Sequence, residues 1–210
     1  MTGFFITGTD TDVGKTVAAA YVCLQLKANY WKPVQSGLTE GMSDRDTVQQ
    51  LTGFADDRFF PCRHQLAAPL SPHEAARLEG QKIELDDFYL PHSNKPLVVE
   101  GAGGVLVPLN DTALMIDLMG RLGLPVIVTA RSTLGTINHT LLTLATLRQA
   151  NLTIAGVILN GPPNAANKQA IEFYGKVPLL AELPTFDRLS TEALLETSPL
   201  IPTHNWTAQL

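Results

Sequence analysis

Two kinds of hydrophobic pattern alternate along the chain. Short apolar runs occur at Gly3–Thr7, Tyr30–Val34, Leu97–Glu100, Val126–Thr129, Ala155–Leu159 and Val177–Leu180. LVVE, VIVT and VIL are β-branched and apolar without polar alternation, which predicts strands buried on both faces. Between the runs lie longer stretches with helical spacing: Lys15–Ala28, Asp46–Leu51, Pro72–Leu78, Ala113–Leu122, Ile137–Gln149 and Ala165–Phe173. This alternation predicts an α/β fold, a parallel β-sheet with helices on both faces. Residues 37–90 break the rhythm with prolines, aspartate pairs and short helices. They hold no clear strand and read as an excursion over the top of the sheet, within a single domain spanning 1–210. The tail after Pro199 reads as a surface extension.

Composition narrows the class. A chain of 210 residues can bury a full core but is short for two domains. With 45% hydrophobic and 17% charged residues it falls among globular rather than disordered sequences. The net charge is −5 and no basic block stands out, so neither nucleic acid nor an anionic membrane is an expected partner. An anionic ligand would have to be held by local groups. Cys23 and Cys62 are too few for a disulfide framework and lack paired metal-ligand spacing. With no leader pattern and no run of about 18 apolar residues, the expected location is cytoplasmic.

The candidate chemistry begins where the first strand runs into GTDTDVGKT. Strand, glycine-rich turn, then Gly14-Lys15-Thr16 opening a helix is the context of a phosphate-binding loop. Small residues let backbone N–H groups turn inward on phosphate oxygens, and the helix N-terminus adds partial positive charge. Lys15 would bridge the β- and γ-phosphates, and the Thr16 hydroxyl would ligate magnesium. Five residues separate Gly8 from Gly14, one more than the strict motif allows. The acids of the loop pose a question, because phosphate is itself an anion. Asp10 either contacts magnesium through water or caps N–H groups within the loop. Thr11 and Asp12 either face a second, amine-bearing substrate or are ordinary turn formers.

Other stretches gather at strand ends, where ligands of α/β sheets bind. In LVVEGAGG, Glu100 stands where a magnesium-holding carboxylate would be, and Gly101 to Gly104 permit close backbone approach to a ligand. In WKPVQSG, Lys32 follows a strand and offers a second cation over the phosphates. Asp44 and Asp46 precede a helix; Asp46 either caps it or ligates magnesium, roles that need not exclude each other. Ser71-Pro72 reads as the cap and first residue of a short helix. In LGTINHT, Thr136 or Asn138 caps a helix whose N–H groups could bind an anion. Asn160, at a strand end, either reads a base edge or caps a turn. No Gly-x-Ser-x-Gly elbow, Cys–His pair or His/Cys metal cluster is present, and the glycine spacing does not suit a dinucleotide.

GTDTDVGKT, WKPVQSG, the helix start at Asp46, PLSPHEAA, VEGAGG, LGTINHT and VILN, taken together and in this order, resemble the dethiobiotin synthetase family across residues 3 to about 160. The five-residue spacing of the phosphate loop is that family's own form. Partition and septum-positioning ATPases, a related class, usually carry a lysine early in this loop, and here that place holds Asp10 and Thr11. The resemblance implies a P-loop NTPase-like fold, ATP and Mg2+, and a homodimer acting on 7,8-diaminononanoate and CO2 or bicarbonate. It implies nucleotide contacts from Gly8, Asp12, Val13, Gly14, Lys15, Thr16, Val17, Asn160 and Pro184. Metal ligands would be Thr16, Asp46 and Glu100, and catalytic groups Lys15, Lys32 and Thr11. Substrate would meet Thr11, Lys32, Ser36, Gly101 and Gly103, with the helix start at Thr136, Ile137 and Asn138 supplied by the partner subunit.

Overall fold

A computed structural model describes residues 3–197 and 199–200 of the chain. In chain order its main elements are β1 (Gly3–Gly8), α1 (Lys15–Leu26), β2 (Asn29–Trp31), β3 (Val34–Gln35), α2 (Asp44–Thr52), β4 (Phe59–Phe60), β5 (His64–Gln65) and α3 (Pro72–Leu78). They continue with β6 (Leu97–Gly104), α4 (Met115–Leu122), β7 (Val126–Arg131), α5 (Thr136–Gln149), β8 (Ile154–Asn160), α6 (Ala165–Gly175), β9 (Leu179–Leu183) and α7 (Thr191–Glu196). Seven strands form one sheet in the order β4-β2-β6-β1-β7-β8-β9, and every pairing is parallel.

The uninterrupted apolar runs now have a cause: alternate residues of each strand enter opposite cores. Phe4, Ile6, Tyr30, Val98, Ile127 and Ile158 pack with α1, α2 and α7 on one face. Phe5, Trp31, Val99, Val126, Val128 and Val157 pack with α3, α4, α5 and α6 on the other. A strand covered twice has no face to give to polar side chains. β1 lies between β6 and β7, so the turn after Gly8 opens at the middle of the sheet's carboxyl edge, where α/β folds bind ligands.

Several element boundaries differ from expectation, each for a local reason. The strand expected over Tyr30–Val34 breaks at Lys32-Pro33, because Pro33 has no N–H for a ladder. Its second half, β3, pairs instead with β5 in a separate two-stranded sheet. Residues 37–90 therefore do contain strands: β5, and β4 at the edge of the main sheet beside β2. Helix α2 starts at Asp44, capped by Ser43 rather than by Asp46. Helix α5 starts after Gly135, and neither Thr136 nor Asn138 caps it. Ser71 makes no side-chain cap bond to α3, although Pro72 does open that helix. Helix α7, capped by Ser190, has no counterpart in the predicted pattern. Leu200 is buried against the α1 face rather than forming part of a surface extension; residues 201–210 lie outside the described residues.

Candidate active site

The phosphate loop takes its shape from contacts that single residues enforce. Gly14 has φ 89°, and a Cβ there would stand 1.9 Å from the side-chain nitrogen of Asn160. Only glycine fits both demands. Asn160 in turn donates from Nδ2 to the Val13 carbonyl at 3.1 Å, so the end of β8 supports the loop after β1. Lys15 folds back over the loop and its Nζ donates to the Asp10 carbonyl at 2.9 Å.

The acid in the anion-binding loop has a structural answer. Asp10 Oδ1 accepts the Thr11 N–H at 2.8 Å, and Oδ2 pairs with Arg131 at the end of β7 at 2.8 Å. Its charge is used inside the loop turn. Asp12 is exposed with φ 55° and Thr11 is exposed beside it, both at the open tip. Val13 is buried, while Thr16 and Val17 are half-buried in the first turn of α1.

A second cluster forms where β2, α2 and β6 meet that turn. Lys32 is 4% exposed and Glu100 is fully buried. Lys32 Nζ contacts Glu100 Oε1 at 3.0 Å, Asp44 Oδ2 at 2.6 Å and the Gly101 carbonyl at 2.9 Å. Thr16 Oγ1 lies 3.0 Å from both Asp44 Oδ1 and Glu100 Oε1. A hydroxyl carries one proton and can donate to one of them at a time. Near the other oxygen lies the Lys32 ammonium, which contacts both carboxylates.

Charges in the cluster perturb one another. Burial lowers the Lys15 pKa, and the nearby Lys32 charge lowers it further. Burial alone would lower Lys32 too, but Glu100 and Asp44 outweigh it and hold the ammonium above its ordinary range. Burial would raise Asp44, yet Lys32 keeps it below the usual carboxylate value. Glu100 is raised by burial in spite of Lys32. Each partner of the Lys32–Glu100 pair moves upward. The direction for Lys32 follows from two carboxylates within hydrogen-bond reach, that for Glu100 from complete burial.

Asp46, expected among the metal ligands, does not join Thr16 and Glu100, whereas Asp44 does. Two residues apart on a helix, Asp44 and Asp46 point to different sides. Asp46 turns back to the helix start, where it accepts from Ser43 Oγ at 2.7 Å and meets Arg45 at 3.5 Å. Asp44 faces Thr16 and Lys32. The signal lay in the sequence, since serine three residues before an acid is a capping arrangement. Gln35 supports the placement by accepting the Asp44 N–H at 3.1 Å.

Thr16, Asp44 and Glu100 bring hard oxygen donors from three elements to one point, and this set fits magnesium. Such an ion is usually bound by one or two carboxylates plus substrate phosphates and water. Among the described residues no group of three His, Cys, Asp or Glu side chains is arranged to hold a metal alone.

The remaining expected residues divide. Gly101 and Gly103 lie in the last half of β6, and Lys32 donates to the Gly101 carbonyl. Ser36 is half-buried, and its Oγ is buried with no hydrogen-bond partner among the described residues. Pro184 follows β9, whose Leu183 carbonyl accepts the Gly161 N–H next to Asn160 at 2.8 Å. Thr136, Ile137 and Asn138 open α5, and Thr136 bonds to Thr133 and Thr140 rather than to the lysine cluster. Sequence reasoning missed Tyr30, whose hydroxyl donates to Glu100 Oε2 at 2.8 Å. No local pattern marks it.

Known proteins resemble this chain over nearly its whole length. The AAA domain family model matches residues 2–193. The ATP-dependent dethiobiotin synthetase BioD of Paramagnetospirillum magneticum is 51% identical, over 95% of this chain and 96% of that one. The chain belongs to the dethiobiotin synthetase family. It is thereby a ligase with a P-loop fold. BioD of Rhodopseudomonas palustris is 46% identical over 90% of this chain and 89% of its own. The bifunctional BioCD protein of Bordetella avium is 47% identical over 96% of this chain but only 43% of its own length, so the likeness covers one part of it. Among solved structures, a ParA family ATPase from Chlorobium tepidum matches with TM-score 0.54 and 14% identity, covering 100% of this chain and 97% of that one. The MinC:MinD complex of Aquifex aeolicus matches with TM-score 0.51 and 10% identity, over 95% of this chain and 87% of that one. At those identities the likeness is one of fold alone.

Proposed function

We propose that the protein converts 7,8-diaminononanoate, CO2 and ATP into dethiobiotin, ADP and phosphate, with magnesium bound by Thr16, Asp44 and Glu100. The observation that carries this reading is the convergence of Lys32, Asp44, Glu100 and Thr16 beside the phosphate loop. Asp44 replaces Asp46 in the ligand set on that geometry.

One substrate amine adds to CO2 and loses a proton, giving a carbamate. A carbamate oxygen attacks the γ-phosphorus, whose bond to the bridging oxygen breaks as ADP leaves. The neighbouring amine then attacks the carbamoyl carbon, loses its proton and expels phosphate, closing a five-membered ring. Held side by side, the reacting groups gain mainly from proximity. Phosphoryl transfer asks for positioning and electrostatics. Lys15 supplies charge along the β- and γ-phosphates, and Lys32 supplies it where the carbamate meets the phosphorus. Bound magnesium adds neutralisation of the phosphate oxygens. Thr11 at the loop tip and Ser36 with its unpartnered hydroxyl orient the diamine and carbamate, with Gly101 and Gly103 giving backbone approach. Gly8, Asp12, Val13, Gly14 and Val17 line the nucleotide, and Asn160 and Pro184 lie toward its base.

The substrate carboxylate is held by backbone N–H groups at Thr136, Ile137 and Asn138 of the second subunit in a homodimer. Of these, the Thr136 N–H already donates to the Thr133 carbonyl at 3.2 Å, so the first-turn N–H groups of Ile137 and Asn138 carry most of the contact. Incubating the protein with the diamine, bicarbonate, magnesium and ATP should yield dethiobiotin by mass spectrometry. ATP consumption without that product would overturn the reading.

A further inference from the structure

Glu100 uses its two oxygens differently. Oε1 faces the phosphate loop, 3.0 Å from Thr16 Oγ1 and 3.0 Å from Lys32 Nζ. Oε2 points inward and accepts the Tyr30 hydroxyl at 2.8 Å. Tyr30 is 1% exposed on β2, and its ring is tilted against Phe59 with centroids 5.9 Å apart. The phenol therefore cannot leave without disturbing the core, and its hydrogen bond holds Oε2 turned inward, away from the oxygen that meets Thr16 and Lys32. Calcium accepts six to eight oxygens and often takes a carboxylate through both. Magnesium demands octahedral geometry and usually takes one oxygen per carboxylate. Partners behind a metal ligand fix its orientation, and their loss typically weakens metal binding by about 10–100-fold.

We propose that Tyr30 is a positioning residue that confines Glu100 to one-oxygen ligation and so makes the site discriminate magnesium from calcium. This rests on the reading of Glu100 as a metal ligand, and the test separates the two. Calorimetry measures magnesium and calcium binding to the protein loaded with the non-hydrolysable β,γ-imido analogue of ATP. Wild type, Tyr30→Phe and Glu100→Gln are compared, with melting recorded on the same samples. Tyr30→Phe keeps the ring and removes only the hydroxyl. In it the calcium-to-magnesium affinity ratio should rise about tenfold. An equal loss for both ions, or no change in either, would assign Tyr30 a merely structural role and overturn the proposal. If Glu100→Gln leaves both affinities unchanged, the ligand assignment fails first, and the proposal with it. Infrared spectra of the wild type give a check that needs no folded Tyr30 variant. The Glu100 carboxylate stretches, assigned by isotope editing, should show the wide splitting of one-oxygen ligation with magnesium. A narrow, bidentate splitting would overturn the inference.

Discussion

Replacing Lys32 by methionine keeps most of the apolar stem and removes the charge. Lys32 is 4% exposed and Glu100 is fully buried, so Glu100 loses its ammonium partner in a place water does not reach. Removing one member of a buried pair typically costs about 3–5 kcal/mol. Asp44, with its side chain 31% exposed, can be rehydrated, which places the expected loss near the lower end, about 3 kcal/mol. For a chain of this size that corresponds to a melting point lower by about 6–12 °C. Adding Glu100→Gln removes the stranded charge, and the double variant should regain most of the difference. Turnover should be lost in both, because neither restores the cation that the proposed mechanism places over the phosphoryl group. Differential scanning calorimetry of the nucleotide-free proteins and an assay of ADP release read the two effects separately. A Lys32→Met protein melting within about 2 °C of wild type would refute the reasoning. So would a double variant less stable than the single one.

Lys15→Gln should lower turnover by at least about 10²–10³-fold, the loss expected for one preorganised charge-stabilising donor; steady-state ADP release checks it. Asp44→Asn should weaken magnesium binding by at least about tenfold, whereas Asp46→Asn should leave it intact and cost about 1 kcal/mol or less of stability through the α2 cap. The folded-state pKa of Asp44 lies below its ordinary 3.8, so its contribution is fully present above that range and fades as pH falls through the folded value. Melting below pH 4 should therefore decline more steeply in wild type than in Asp44→Asn. Burial pushes the half-buried Cys62 thiol up to about 11 from 9.0, so iodoacetamide at pH 8 should modify it about a hundredfold more slowly than an unperturbed thiol of pKa 9.0, the rate rising toward pH 11.

What could be read from the sequence was what local pattern determines. β6 and β7 announce themselves because a strand covered on both faces runs apolar at consecutive positions, up to Glu100 in β6 and Thr129 in β7. The phosphate loop does so because turn, lysine and helix start are contiguous. β4 and β5 are two residues long each and exist only through ladders to β2 and β3, so no window around them carries the signal. Asp44 and Asp46 were separable only by recognising Ser43 as the cap, which sets the helical phase of both. Tyr30 reads as one more apolar strand residue; its role appears only when β2 and β6 are paired, with Tyr30 opposite Val98, two residues before Glu100. The purpose of Asp10 was hidden likewise, because Arg131 comes 121 residues later.

In the proposed reaction the carbamate of the diamine takes the terminal phosphoryl group of ATP at the Lys15–Lys32 site. That transfer is tested most directly by supplying freshly prepared CO2 labelled with 18O to the protein, the diamine and magnesium ATP, and analysing the phosphate released. One labelled oxygen should pass into phosphate and one remain in the ureido carbonyl of dethiobiotin. Phosphate whose new oxygen comes only from water would contradict the account.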